Sequence, residues 1–370
     1  MKKYNLITAS LLTLGLTACG AQNTSTTNES TTAQVTSAPG APGAEPFWAY
    51  AGKTGIGTSY EQYQNGQYSD SAATGDVSKV WFSIAKGMIT ETMFGLIHQA
   101  QIKDMQFIVT GKDFTVSEAD DLDVTIDYLH KDAQGRPLSL AYKVTSTDKQ
   151  GRFSLEKHIF TDPDGQTLFV RSVFNTELEG LKAYVSVNPY INNNGLGDFA
   201  KTTEQGLVAW EDDNYLSLQS ATSFKDKTVG FTGESDGINA LKTTQSINTQ
   251  YTNTGDTAGN VSMLAELGDI SANTTFDLAL SFGKTQQQSI KQGEKSLAKG
   301  YQAVLDHYNG KGEALGWEDY LQSLKPLNKM IEQTADNGKL LYTSAMVLKA
   351  QEDKTHAGAL IASLSNPWGE

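Results

Sequence analysis

Alternation of apolar and polar residues dominates the chain from about residue 48 to residue 284. In Leu122-Asp-Val-Thr-Ile-Asp-Tyr128, the residues Leu122, Val124, Ile126 and Tyr128 share one face, the two-residue period of a half-buried strand. The turn Asp132-Ala-Gln-Gly-Arg-Pro137 reverses the chain into a second strand over 138–144. A third strand, 153–160, and a fourth, 168–174, flank Asp162-Pro-Asp-Gly165, a tight-turn sequence that predicts a hairpin. Further strands are predicted over 182–187, 206–211, 215–219, 223–231 and 275–282. Turn signals recur about every ten residues and strands do not alternate with helices, so the prediction is mainly β, a large antiparallel sandwich.

The period changes after Lys284. Leu297, Tyr301, Val304, Leu305 and Tyr308 fall at helical spacing, as do Leu315, Trp317, Tyr320, Leu321 and Leu324, where Pro326 ends the run. A further helix is predicted over 338–351, with Leu340, Leu341, Val347 and Leu348 on its apolar stripe. The C-terminal residues do not fray into polar ones. Leu360, Ile361, Leu364 and Trp368 form an apolar stretch that needs neighbours to cover it.

The N-terminus predicts export. Lys2 and Lys3 precede a short apolar core over 6–16, too short to span a bilayer, and Leu16-Thr-Ala-Cys19 closes it. Leu-x-Ala-Cys resembles the bacterial lipobox, in which the peptidase cuts before a cysteine that then carries lipid. Cys19 is the single cysteine, which excludes an intrachain disulfide and a cysteine-built metal site. Gly20 stands where an aspartate would retain the lipoprotein at the inner membrane, so the expected address is the cell envelope, with the outer membrane favoured. These signals divide the chain into a signal peptide (1–18), a polar tether (19–44), a sandwich (45–285), linker helices (286–326) and a last segment (327–370). The net charge of −13 and pI near 4.9 exclude a nucleic-acid surface and leave a neutral ligand compatible.

Catalytic motifs are absent. Gly52-Lys53-Thr54 lacks the earlier glycine of a phosphate loop, since Phe47 stands there, and reads as a turn. The carboxylates of Asp162 and Asp164 lack the further ligands of a calcium loop, and Glu211-Asp-Asp213 reads as a solvated turn. His98, His130, His158, His307 and His356 show no metal-ligand spacing, and no Gly-x-Ser-x-Gly elbow occurs. No catalytic residue, metal site or cofactor is therefore assigned.

Two stretches resemble the bacterial glucoamylases and glucodextranases of glycoside hydrolase family 15. The first runs from Ala41 through Gly55-Ile-Gly-Thr58 and Val80-Trp-Phe-Ser-Ile-Ala-Lys-Gly-Met-Ile-Thr-Glu91 to Thr110. The second is Glu352-Asp-Lys-Thr355 followed by Gly358-Ala-Leu-Ile-Ala-Ser-Leu-Ser-Asn-Pro-Trp-Gly369. The resemblance implies a galactose mutarotase-like super-β-sandwich, linker helices and the first part of an (α/α)6 catalytic barrel over 327–370. It implies a monomer that releases glucose from the non-reducing ends of α-glucans or maltooligosaccharides with inversion. Both catalytic glutamates are expected beyond Glu370, so this chain alone is expected to be inactive, with Trp368 near the substrate. Glu352 and Asp353 fit a helix terminus better than a catalytic role. The alternatives are a stand-alone carbohydrate-binding surface lipoprotein and, less favoured, a mutarotase-like epimerase with a histidine and a carboxylate on one sandwich face.

Overall fold

A computed structural model describes residues 33–47, 49–64, 67–68, 77–119, 122–324 and 326–364. The expected signal peptide (1–18), Cys19 and Trp368 lie outside the described residues. Among those described, two large antiparallel sheets face one another as a sandwich. The larger has ten strands, in the order Ala33–Ser37, Thr249–Asn253, Phe199–Thr202, Gly206–Glu211, Asn214–Ser220, Thr274–Gly283, Thr167–Asn175, Ser154–Asp162, Tyr142–Asp148 and Leu122–Tyr128. Only its first pair is parallel. The second sheet runs Lys227–Phe231, Val261–Ile270, Leu181–Pro189, Ile102–Thr110, Met88–Phe94, Val80–Ala85 and Lys53–Thr58, with Thr115–Ser117 added beside Ile102–Thr110.

The inner faces are built by alternation. Leu155, Ile159, Leu168, Val170 and Phe174 from one sheet meet Met105, Phe107, Val109, Val185 and Met263 from the other, all buried. Phe107 and Phe174 touch edge to face at 5.9 Å, and Phe94 stacks on Phe282 at 5.5 Å. One ion pair lies inside this apolar layer. Lys157, fully buried, contacts Glu118 Oε1 and donates to Gly87 O at 2.5 Å. Glu118 also accepts from Phe107 N (2.9 Å) and Ser146 Oγ (3.1 Å).

The glycines of Gly55-Ile-Gly57 have a steric cause. Tyr142, from the opposite sheet, donates its hydroxyl to Ile56 O at 2.8 Å and brings its ring against the strand. A Cβ at Gly55 would lie 3.0 Å from that ring, and one at Gly57 would lie 2.4 Å from the Phe82 ring and 3.0 Å from Leu140 O. Gly57→Ala should therefore overpack the core and cost about 1–3 kcal/mol in urea denaturation, with an unchanged m-value.

Six α-helices are described: α1 (Gly237–Thr244), α2 (Gln286–Lys299), α3 (Tyr301–Asn309), α4 (Trp317–Ser323), α5 (Leu327–Met330) and α6 (Lys339–Ala350). The single helix expected near 296–308 is two, because Gly300 at φ 80° breaks it. α3 lies on the outer face of the ten-stranded sheet, where Tyr301 meets Phe160, His158 and Arg171.

The Asp162–Gly165 hairpin is where α2 and α3 are tied down. Lys299 Nζ donates to Asp162 Oδ1 (2.8 Å) and Asp164 Oδ2 (2.9 Å), Ser296 Oγ donates to Asp162 Oδ2 (2.6 Å), and His307 Nδ1 lies 3.2 Å from Asp164 Oδ2. The chain's own cations thus occupy the carboxylates that resembled half of a calcium loop. Burial works against ionisation of Asp164, but the hydrogen bonds from His307 and Lys299 outweigh it and hold its pKa well below the usual range. Its contribution is thus present above the unfolded carboxylate pKa and lost as pH falls through the folded one. Acid titration from pH 5 downwards should raise hydrogen exchange in α2 and α3 before the sheets melt, and Asp164→Asn should remove that early phase.

Three expectations are corrected. Residues 37–44, assigned to the tether, belong to the folded unit: Ala38 N donates to Asn253 O (2.8 Å), Ala44 N to Thr232 O (2.7 Å) and Asn260 N to Pro42 O (2.8 Å). Main-chain pairing holds a segment whose side chains offer little to bury. The second strand begins at Tyr142 rather than residue 138, because Leu138 N instead closes a loop onto His130 O at 2.9 Å. On α6 the buried residues are Tyr342, Met346 and Ala350, while Leu340 and Leu348 are 68 % and 64 % exposed. Among the described residues no helix is long and apolar enough to cross a membrane.

Candidate functional site

The densest convergence of polar side chains lies where the segment after α6 meets the sandwich. α6 packs near the Lys53–Thr58 strand, and the chain then turns through Glu352-Asp-Lys-Thr355, where Glu352 meets Tyr68 of a two-stranded hairpin and the next three side chains each bond a different part of the sandwich. Lys354 is buried, and its ammonium donates to Thr58 Oγ1 (2.7 Å), Ser59 O (2.8 Å) and Ser78 O (2.8 Å). Three acceptors match the three donors of an ammonium, while burial pushes its pKa down to about 7. The Trp81 ring lies 5.1 Å from the same nitrogen, a cation–π contact.

Glu61, 2 % exposed, supplies the balancing charge nearby and accepts from Ser78 N at 3.0 Å. Burial pushes the Glu61 carboxyl up and the Lys354 ammonium down, and each charge partly restores the other. Around this pair, Tyr68 Oη donates to Glu352 Oε1 (2.7 Å), Asp353 Oδ2 accepts from Ile97 N (3.0 Å), and Thr355 Oγ1 donates to Gly95 O (2.5 Å). Trp317 Nε1 of α4 donates to Thr58 O at 2.9 Å, and its ring packs with Tyr60 and Tyr320. One strand end therefore receives both the linker helices and the segment beyond α6.

This arrangement fixes position, and its carboxylates are committed to structural bonds. Glu352 is held by Tyr68 and Lys349, and Asp353 also caps Thr355 N (2.7 Å) and His356 N (2.6 Å). Neither is free to move a proton. A cavity of about 190 Å3 lies beside them, between Ile361–Leu364 and Lys53, Glu91, Ile97 and His98. Glu91 is likewise committed, to Lys53 (3.1 Å), Ser83 Oγ (2.9 Å) and Tyr50 N (3.0 Å). A mutarotase-like reading needs a histidine and a carboxylate on one sandwich face, for which the sequence names no pair; His158 does pair with Glu156 at 2.8 Å, but it lies under Tyr301 of α3. Among the described residues no cluster of three His, Cys, Asp or Glu would hold a metal.

The sequence reading placed Glu352 and Asp353 at a helix terminus, and they do follow α6. It missed Lys354, Glu61 and Trp317. Lys354 bonds two main-chain carbonyls, which no side-chain pattern reveals. A signal did exist: the two stretches that carry the family resemblance are the two that bond one another, through Thr58 and Lys354.

Comparison with known proteins agrees with this architecture. Residues 38–322 match the family model described as glucodextranase, domain N. A glucoamylase of Clostridium sp. (strain G0005) is 35 % identical over 344 residues, 90 % of this chain and 44 % of that protein. A crystal structure of a bacterial glucoamylase complexed with acarbose superposes with a TM-score of 0.76 at 31 % identity, covering 90 % of this chain and 46 % of that one. The chain thus spans less than half the length of these relatives. It belongs to the glucodextranase domain N family, the sandwich module of the bacterial glucoamylases of glycoside hydrolase family 15.

Proposed function

We propose that this chain is the sandwich-and-linker portion of a glucoamylase-type glycosidase that releases glucose from the non-reducing ends of α-glucans with inversion. The observation that carries the reading is the Glu352–Thr355 junction: a segment outside the sandwich is bonded to it by three consecutive side chains, Asp353, Lys354 and Thr355, as an entry to a second domain would be. The acarbose complex of the similar bacterial glucoamylase supports α-glucans as the substrate class. On this reading the catalytic acid and base belong to the part of the relatives with which this chain does not align. The last segment, from Leu327, is the start of the (α/α)6 barrel. The lipobox-like Leu16–Cys19 supports a lipid anchor at Cys19, tested by acyl labelling that Cys19→Ser abolishes.

The enzymatic reading is tested with maltotetraose. The 370-residue chain should release no glucose above a buffer control. A chimera that continues from residue 364 into the remaining part of the Clostridium glucoamylase should release β-glucose, read by NMR before mutarotation. Turnover by the 370-residue chain would overturn the proposed inactivity. Release of α-glucose by the chimera would overturn inversion.

A further inference from the structure

The acidic turn Glu211-Asp-Asp213 does not lie wholly in solvent. Asp212 and Asp213 are exposed, but Glu211 turns inward, and its Oε2 is buried without a donor. Where Phe199–Thr202 pairs with Gly206–Glu211, Phe199 stands opposite Trp210, so one residue further along the register Asp198 stands opposite Glu211. The Glu211 carboxylate lies over Gly197, where a Cβ would come within 1.8 Å of its Oε1. Like charges opposite one another on neighbouring strands repel, so this pair calls for a proton or a cation.

Asp198 is the more buried member. It is 0 % exposed, and its two oxygens share one donor, Ile191 N, at 3.3 and 3.4 Å. Among the described residues no lysine, arginine or histidine pairs with it or with Glu211. Lys284 is spent on Asn214 Oδ1 (2.8 Å) and Asp213 (3.3 Å). An ionised carboxylate sealed from water with one long hydrogen bond is costly. Burial, and after it the Glu211 charge, pushes the Asp198 carboxyl well above its usual range.

The surrounding amides decide between a proton and a metal. Asn194 Oδ1 accepts from Leu196 N (3.2 Å), which turns its Nδ2 to Glu211 Oε1 at 2.6 Å. Asn192 Oδ1 accepts from Gln99 Nε2 (3.0 Å) and Asn214 Nδ2 (2.5 Å), so this amide also offers Glu211 its nitrogen. Such N–H donors suit an ionised Glu211 and would repel a cation. They work against the upward push that burial and Asp212 exert on Glu211. The remaining ionisable group facing the pair is Tyr190, whose phenol is pushed up by burial, Asp198 and Glu45 and brings no positive charge.

We propose that Asp198 is a protonated carboxylic acid at neutral pH and donates a hydrogen bond to Glu211 Oε2, forming a latch that closes residues 190–198 onto the sheet and opens when alkali removes that proton. The latched segment forms part of the wall of the cavity beside Ile361–Leu364. Asn193 lines that cavity, accepts from Ala100 N (2.8 Å) and donates to His98 O (3.0 Å). The inference uses nothing from the enzymatic reading and stands without it.

Urea denaturation of the parent and of Asp198→Asn between pH 5 and 7 tests the proton. The amide keeps the shape, donates to Glu211 Oε2 and accepts from Ile191 N, as the protonated acid does. Because the folded-state value is raised, the parent binds one proton more folded than unfolded. That stability is full below the unfolded carboxylate value and is lost as pH rises through the folded one. The folding constant of the parent should therefore fall relative to Asp198→Asn by about tenfold per pH unit, about a hundredfold across the interval. Glu211→Gln, which removes the neighbouring charge, should end the fall at a lower pH. Asn193 N and Asn194 N bond to Ala100 O (3.1 Å) and Ile191 O (2.9 Å). Their hydrogen exchange, corrected for base catalysis, should accelerate in the parent on titration from pH 7 upwards but not in Asp198→Asn. Calcium chloride should leave the stability of the parent unchanged. Parallel pH profiles of the parent and Asp198→Asn, an end-point unmoved by Glu211→Gln, or stabilisation by calcium that Asp198→Asn abolishes would each overturn the proposal.

Discussion

Lys354→Met is expected to destabilise the chain by about 3–5 kcal/mol, the cost of removing one partner from a buried charged cluster. The loss has two sources. Thr58 Oγ1 keeps its own donation to Val80 O (2.6 Å), but Ser59 O and Ser78 O lose their buried donor, and Glu61 loses its compensating charge. Urea denaturation measures the effect. The double variant Lys354→Met, Glu61→Gln should recover part of the loss, because it removes the orphaned carboxylate but not the orphaned carbonyls. Equal stability of the single and double variants would show that Glu61 does not balance Lys354.

A similar loss, again about 3–5 kcal/mol, is expected for Lys157→Met in the middle of the sandwich. Lys157 comes from one sheet and Glu118 from beside the other, so the pair fixes how the two sheets sit over each other. Burial pulls the Lys157 ammonium down, and Glu118 works against that shift. Without the lysine, Glu118 keeps Phe107 N and Ser146 Oγ but carries an unmatched charge in an apolar layer. Here Lys157→Met, Glu118→Gln should recover much of the loss, since the glutamine oxygen can still accept from Phe107 N and its amide can donate to the Ser146 hydroxyl, which serves as donor or acceptor. Gly87 O is the one carbonyl left without its donor here, against two at the junction, so the recovery should be larger between the sheets.

The sandwich was legible wherever alternation and turn chemistry agreed. The 206–211 strand was read at the residues where it is found, and the Asp162-Pro-Asp-Gly165 hairpin likewise. The Val261–Ile270 strand was not read, because Met263, Leu264, Ala265, Glu266 and Leu267 all favour helix in isolation. Its place between Lys227–Phe231 and Leu181–Pro189 overrides that preference. α1 was missed for the opposite reason: it has one buried leucine, Leu241, and relies on Asp236 capping Asn239 N. On α6, Leu340 and Leu348 looked like the buried stripe because sequence periodicity cannot tell which of two apolar faces meets the sandwich.

The candidate site was legible only as a resemblance. Glu352-Asp-Lys-Thr355 could be quoted as a motif, but a lysine in such a motif reads as a solvated charge. Its three acceptors come from residues distant in sequence, two of them through main-chain oxygens, so only the folded chain brings them together.

The most direct test of the junction is hydrogen exchange of the native 370-residue chain and of Lys354→Met, followed across residues 351–364. The parent should protect Asp353 N, Ile361 N and Leu364 N, which bond to Ala359 O, Gln351 O and the Gln351 side chain. The variant should lose that protection while the Ile102–Thr110 and Thr167–Asn175 strands keep theirs. Rapid exchange of those three amides in the parent, or unchanged protection in the variant, would contradict a junction held by Lys354.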